Sequence, residues 1–138
     1  MLSRILVFII LFCGCRTIKE PSDKKTKFIF INDTREDLHI YGFKAKMEVK
    51  RLFVEKTNSI VFEMVNPKTF AAESDVFNFA DSSVIVFESG KKIAFTISHL
   101  ALFLKCPLVP NHYTYNKINN DYLETTYKIT NEFLDSAK

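Results

Sequence analysis

Cys106, His99 and His112 are the residues whose types could do nucleophilic chemistry together, because a thiolate needs a neighbouring base and imidazole is the usual one. The thiol stands directly before Pro107 inside the apolar run ALFLKCPLVP, where a cysteine behaves as a small buried hydrophobe. We therefore read Cys106 as an inert core thiol and assign no catalytic residue. As metal ligands the same three side chains would be seven and six residues apart, a spacing that matches no compact zinc pattern, so no metal site is expected. Glu73 with Asp75, or Glu63 with Glu88, are the carboxylate pairs available for acid–base work. Nothing in the sequence places either pair across a cleft, and charges alternating along strands mark a solvated face. Gly14, Gly42 and Gly90 are too far apart to form a phosphate-cradling loop, and no cofactor is expected.

A different chemistry is offered by Cys13 and Cys15, which flank Gly14 at the end of the opening stretch MLSRILVFIILFCGC. One cation, Arg4, precedes an uncharged run from Ile5 to Phe12, and the chain turns polar at Arg16. This is the order of a signal peptide, and the run is well short of the ~20 apolar residues that a spanning helix needs. Phe12-Cys13-Gly14-Cys15 resembles the lipobox of bacterial lipoproteins: an apolar residue, a variable one, Gly or Ala, then the lipidated cysteine. The resemblance implies a diacylglyceryl thioether on Cys15, removal of residues 1–14, and acylation of the new amino terminus, with palmitate-like chains. Two or three acyl chains hold a protein on a bilayer, where a single one binds only marginally.

Residues 15–27 then read as the lipidated cysteine and a polar tether, RTIKEPSDKKTK, whose lysines stand beside the membrane. Residues 28–138 read as one β-rich globular domain. FIFIN and LHIYGF flank the polar DTRED as the arms of a hairpin, with His39 facing solvent between Leu38 and Ile40. Residues 41–50 alternate as one half-buried strand, although Ala45, Val49, Leu52 and Phe53 also stand at helical spacing, so strand and helix both stay open over residues 45–56. SIVFEMV is a further strand. SSVIVFE and KKIAFTIS, joined through Ser89-Gly90, form the strongest hairpin signal. ALFLKCPLVP, broken by Pro107 and Pro110, reads as an edge segment or a packed loop. A last strand over residues 123–129 leads into a helical turn through NEFLDSAK, capped by Thr130 or Asn131 and docked by Phe133 and Leu134. The expected fold is all-β: a small antiparallel β-sandwich or partial barrel, with an Ig-like arrangement as the first candidate and a short C-terminal helical turn.

The net charge of +3, with cations and anions interspersed, lacks the basic stripe that nucleic-acid binding requires. After processing only Cys106 would remain free, so no intramolecular disulfide is expected. The segment PNHYTYNKINNDY sets Tyr113, Tyr115 and Tyr122 among asparagines, a composition that suits a contact surface, with an ordinary turn lying over the core edge as the plainer reading. In its layout of lipobox, polar tether and Phe-, Ile- and Lys-rich β domain, the chain is similar to short lipoproteins of the Bacteroidota, a resemblance that implies an envelope location and no particular activity. The function expected is a binding or structural accessory module of the bacterial cell envelope. It would be lipid-anchored to the outer or inner membrane, with an envelope protein as partner, and not an enzyme; a small envelope hydrolase using Cys106 is the alternative. Metabolic labelling with a fatty-acid analogue should be lost in Cys15→Ala and kept in Cys13→Ala; label surviving in Cys15→Ala would refute the lipidation site.

Overall fold

The computed structural model describes residues 22–96 and 106–138; Cys13, Cys15 and His99 lie outside them. Among the described residues, eight strands form two four-stranded sheets. They are β1 (Asp23–Asp33), β2 (Leu38–Lys44), β3 (Met47–Val54), β4 (Ser59–Pro67), β5 (Ser82–Phe87), β6 (Lys92–Thr96), β7 (Thr114–Lys117) and β8 (Tyr122–Thr130). A four-residue helix α1 (Glu73–Val76) lies between β4 and β5, and α2 (Asn131–Ser136) follows β8. The first sheet runs β4-β1-β8-β7 and the second β3-β2-β5-β6. Every pairing is antiparallel except β1 with β8. The chain is thus an all-β sandwich with a short C-terminal helix. Its connectivity is not that of an Ig domain, where the first two strands are neighbours in one sheet; here β1 and β2 belong to opposite sheets.

Alternation builds the core. Phe28 and Phe30 of β1 and Tyr127 and Ile129 of β8 point inward from the first sheet, toward Leu38, Ile40, Leu52, Val54, Ile85, Phe87 and Phe95 of the second. Phe30 sits at the centre, with the rings of Phe77, Tyr127, Phe62 and Tyr113 at 5.8, 6.0, 6.1 and 6.1 Å. Such tilted and edge-on pairs add about 0.5–1.5 kcal/mol each beyond the area they bury.

The hairpin expected across DTRED is instead an arch between the sheets. FIFIN pairs with β4 and β8 rather than with LHIYGF. The reason lies in Asn32, the inward residue at the end of β1, which is fully buried. Its Nδ2 donates to Glu36 O at 2.8 Å and Val54 O at 3.0 Å, while Oδ1 accepts from Thr34 N at 3.1 Å and Thr34 Oγ1 at 2.7 Å. Both donors and both lone pairs of the amide are used, and the chain is turned over the edge of the core.

Residues 41–50 also differ from expectation, being two strands and not one. Ala45 and Lys46 take φ values of 49° and 69° and reverse the chain between β2 and β3, so residues 47–54 are strand and the helical option is excluded. Asp81 holds this turn: its Oδ2 accepts from Ala45 N at 2.9 Å and its own N–H donates to Phe43 O at 2.8 Å. The Ala45 N–H, followed by the Ser82 hydroxyl, keeps its carboxyl below the usual carboxylate range. Gly42 permits close packing here, since a Cβ would come within 3.2 Å of Phe77 Cδ1 and 3.3 Å of Ala80 Cβ.

The tether expected over residues 15–27 is shortened, because β1 already begins at Asp23. Thr26 is the inward residue that hides this from the hydrophobic pattern; its Oγ1 accepts from Ala71 N at 2.9 Å. The flanking lysines find carboxylates across the sheet, Lys24 with Asp121 at 2.6 Å and Lys27 with Glu124 at 3.1 Å. The hairpin through Gly90, at φ +85°, forms as expected. So does the terminal helix with Phe133 and Leu134 buried, although Thr130 makes no side-chain cap bond and Asn131 Oδ1 instead accepts from Arg35 N.

Asn32→Leu should cost about 3 kcal/mol or more in urea unfolding, because two carbonyls and the two Thr34 donors lose their partner in a dry site, whereas Thr34→Val should cost about 1 kcal/mol. Near-equal stability of Asn32→Leu and wild type would refute the role given to the arch.

Candidate functional site

The thiol of Cys106 stands in a compact turn that closes on itself. Val109 N–H donates to Cys106 O at 3.2 Å, and a single 3₁₀ turn, Pro110–His112, follows. Cys106 N–H donates to His112 Nδ1 at 2.7 Å. Cys106 O lies 3.2 Å from the same Nδ1, so that nitrogen is engaged by the Cys106 main chain in either tautomer. His112 therefore clasps the Cys106 backbone through Nδ1. Cys106 is 1% exposed, and burial pushes its thiol up from the ordinary value, opposed by the Leu108 N–H and the nearby Ser83 hydroxyl. A protonated, enclosed thiol is the reverse of an activated nucleophile.

Glu63 and Glu88 are not brought together either. Asp75 Oδ2 accepts from Ala72 N at 2.8 Å. Glu63 lies on the outer face of β4 with Lys25 Nζ 3.9 Å away, while Glu88 sits in the β5–β6 turn of the other sheet. Among the described residues, no three His, Cys, Asp or Glu side chains are grouped to hold a metal ion.

Of the three tyrosines read as a contact surface, only part of the set is on the surface. The segment 111–122 is not a continuous loop; it contains β7, an edge strand paired with β8. Tyr113 is 6% exposed, its hydroxyl donates to Pro107 O, and its ring lies 5.1 Å from that of Tyr127. It belongs to the core and is not available for surface contact, because burying its ring against Phe30 and Tyr127 outweighs exposing it among polar neighbours. Tyr115 is exposed, with its hydroxyl donating to Pro110 O at 2.8 Å. Tyr122 helps to line an open hollow of about 620 Å³ together with Asp23, Lys25, Glu63, Asn119, Asn120 and Asp121. The hollow is shaped by the turn before β8, where Lys25 N–H donates to Asp121 O at 2.8 Å and Asp121 N–H to Asn119 Oδ1 at 2.8 Å. Its amides, carboxylates and ammonium offer hydrogen bonds to a polar group and no nucleophile.

The structure also brings together a surface that no local stretch announces. On the outer face of the second sheet His39 is half-buried, its ring 5.8 Å from Tyr41 and 4.9 Å from Phe53; Tyr41 lies 6.2 Å from Phe43, and the Arg51 guanidinium sits 5.0 Å over Tyr41. The alternation of LHIYGFK signals an outer face, but the aromatic character of that face depends on β3 pairing beside it, with Phe53 opposite His39. Rings, a guanidinium and little charge at the centre are the composition of interaction surfaces.

The fold and these surfaces define an all-β sandwich protein with an aromatic outer sheet face and a polar hollow at one end. Compared with known proteins, the chain matches no family model, no curated protein and no solved structure.

Folding keeps the Cys106 thiol and the Tyr127 phenol, both raised by burial, protonated more tightly than the unfolded chain does. The unfolded state then loses these protons first, so stability should be full below the ordinary thiol range and fall as pH rises through about 8.5, more steeply above about 10. Cys106→Ala should remove the first part of that decline in denaturant titrations, and an unchanged pH profile would count against the buried thiol.

Proposed function

We propose that this protein is a membrane-anchored lipoprotein of the bacterial cell envelope whose sandwich serves as a binding or structural accessory module. The observation that carries the reading is the Phe12-Cys13-Gly14-Cys15 sequence after a short uncharged run. With β1 beginning at Asp23, seven residues separate it from Cys15, a stretch that reaches at most about 25–30 Å. A module on so short a leash works within reach of the bilayer, where its partner would be another envelope protein.

Support for contact over catalysis comes from the sheet face of His39, Tyr41, Phe43 and Phe53, since aromatics with an Arg neighbour supply large contact area at small entropic cost. The enclosed Cys106 thiol, with His112 Nδ1 engaged by the backbone, gives the hydrolase alternative no matching support. Detergent extracts of membranes should contain the full-length protein in a stoichiometric complex. Tyr41→Ala with Phe53→Ala should weaken that complex roughly 30-fold or more, as loss of a hot-spot aromatic does, while urea stability changes little. A protein that elutes as a lone monomer in every extract would overturn the accessory-module reading.

A further inference from the structure

The two ends of the sandwich expose different chemistry. One end gathers the start of β1, the Ala45–Lys46 turn, the 68–81 connection and the 118–121 turn. The contacts that tie them are Asp23 opposite Pro67 in register, Lys25 N–H to Asp121 O at 2.8 Å, Ala71 N–H to Thr26 Oγ1 at 2.9 Å, and Ala45 N–H to Asp81 Oδ2 at 2.9 Å. The other end holds the β1–β2 arch, the 55–58 and 88–91 turns and α2.

Exposed apolar side chains mark the first end. Met47 is 68% exposed, Phe79 63% and Ile118 49%; Met47 is the first residue of β3, directly after the Ala45–Lys46 turn, and the other two lie in the 68–81 and 118–121 connections. The other large apolar residues exposed among the described ones, Phe53, Val61, Val65 and Tyr115, lie along strands. The exposed Lys46 and Lys117 adjoin Met47 and Ile118 in sequence, and the exposed Lys68 opens the connection that carries Phe79, none of the three in an ion pair with a described carboxylate. Of the acids at this end, Asp121 pairs with Lys24, Glu63 with Lys25 and Glu48 with Arg51, and Asp81 accepts the Ala45 N–H, while Asp23 is exposed. The opposite end exposes charges of both signs, among them Glu55, Glu88 and Asp135 with Lys56, Lys91 and Lys92, and no large apolar side chain among the described residues. Backbone strain follows the same division. Of the six non-glycine residues with positive φ, Ala45, Lys46, Lys68, Asn78 and Phe79 are all at the first end. A bulky Phe79 at φ 55° is an uncommon conformation, and it turns an apolar ring into solvent.

We propose that this end is a membrane-docking surface, with Met47, Phe79 and Ile118 entering the headgroup layer of an anionic bilayer and Lys46, Lys68 and Lys117 lying on its phosphates. The proposal rests on the reading of Cys15 as the lipid anchor and adds an orientation to it. A lipid surface is the occupant because the chain enters the fold at this end, seven residues from Cys15, and because exposed apolar side chains accompanied by lysines suit the headgroup layer of a bilayer. The opposite end, with charges of both signs and no exposed large apolar side chain among the described residues, then points away from the membrane.

The chain contains no Trp, so single substitutions report position. The full-length protein carrying Met47→Trp or Phe79→Trp, reconstituted into phosphatidylethanolamine–phosphatidylglycerol vesicles with brominated acyl chains, should show blue-shifted emission that is mostly quenched. Phe53→Trp, on the outer sheet face, should keep its emission. Changing Lys46, Lys68 and Lys117 together to Glu should abolish quenching at Phe79→Trp, and brominated phosphatidylcholine vesicles should give the same loss without altering the protein. Water-exposed emission from Met47→Trp and Phe79→Trp while Cys15 carries fatty-acid label would overturn the docking and leave the anchor intact. Equal quenching of Phe53→Trp would overturn the orientation. Quenching at Phe79→Trp in a protein whose Cys15 carries no label would uphold the docking while refuting the anchor.

Discussion

The buried amide of Asn32 is the constraint on which the sandwich turns. A polar group with no exposure must satisfy its hydrogen bonds internally or destabilise the fold by the full desolvation penalty, and Asn32 does so with main-chain carbonyls from the arch and from β3. Around it the arch becomes a hub. Asp37 Oδ1 accepts from Lys56 N at 2.8 Å, Asp37 O accepts from Glu88 N at 2.9 Å, and Glu36 Oε2 accepts from Ser89 N at 3.0 Å. Asn32 N–H itself donates to Asn58 O at 2.9 Å. The connections that leave both sheets at this end are thereby held to one point. The Ser89 hydrogen bonds that fix Glu36 also hold its carboxyl below the usual range.

With the chain carried across at Asn32, β1 is left at the middle of the first sheet, free on both edges. Those edges are filled by β4 running back and by β8 running alongside, a parallel pairing made across the whole length of the chain. β1 is thus the strand through which the two ends of the sequence meet. Phe28 and Phe30 on its inner face lie at the centre of the aromatic core, while Lys25 and Lys27 on its outer face join ion pairs across the sheet. Exposed pairs of this kind add little stability, but they let a strand that enters from a lysine-rich stretch keep its register beside the carboxylates of β4 and β8.

The division of labour between the ends follows from the same geometry. The hub end is rich in polar side chains that bond main-chain groups of the turns, leaving no role there for large apolar tips. The opposite end is closed by a longer connection, residues 68–81, which must fill the space over Phe30 with Phe77 and Val76 and still return to Asp81. Turning Phe77 inward at α1 forces the next two residues through positive φ, and Phe79 emerges on the outside. The exposed apolar end is therefore a consequence of how the core is closed.

Alternation over FIFIN, SSVIVF and the residues of β8 was readable without the fold, because a strand with one dry face imposes period two locally. The Gly90 hairpin and the Phe133–Leu134 turn were readable for the same reason, being made of neighbours in sequence. The Cys15 signal is likewise four adjacent residues and lies outside the described part of the chain. Partner choice was not readable. Whether FIFIN pairs with LHIYGF or with β4 and β8 depends on one buried amide finding Val54 O, 22 residues away, and no periodicity encodes that contact. Thr26 hid the first strand residues because a buried threonine looks polar until Ala71 is placed against it. The tyrosine-rich segment misled for a related reason: composition does not say which face of an edge strand meets the core, so Tyr113 went inward and Tyr115 outward only once β7 paired with β8. Met47 follows the turn between β2 and β3, while Phe79 and Ile118 lie in two other connections, and only the tertiary structure places them together at one end.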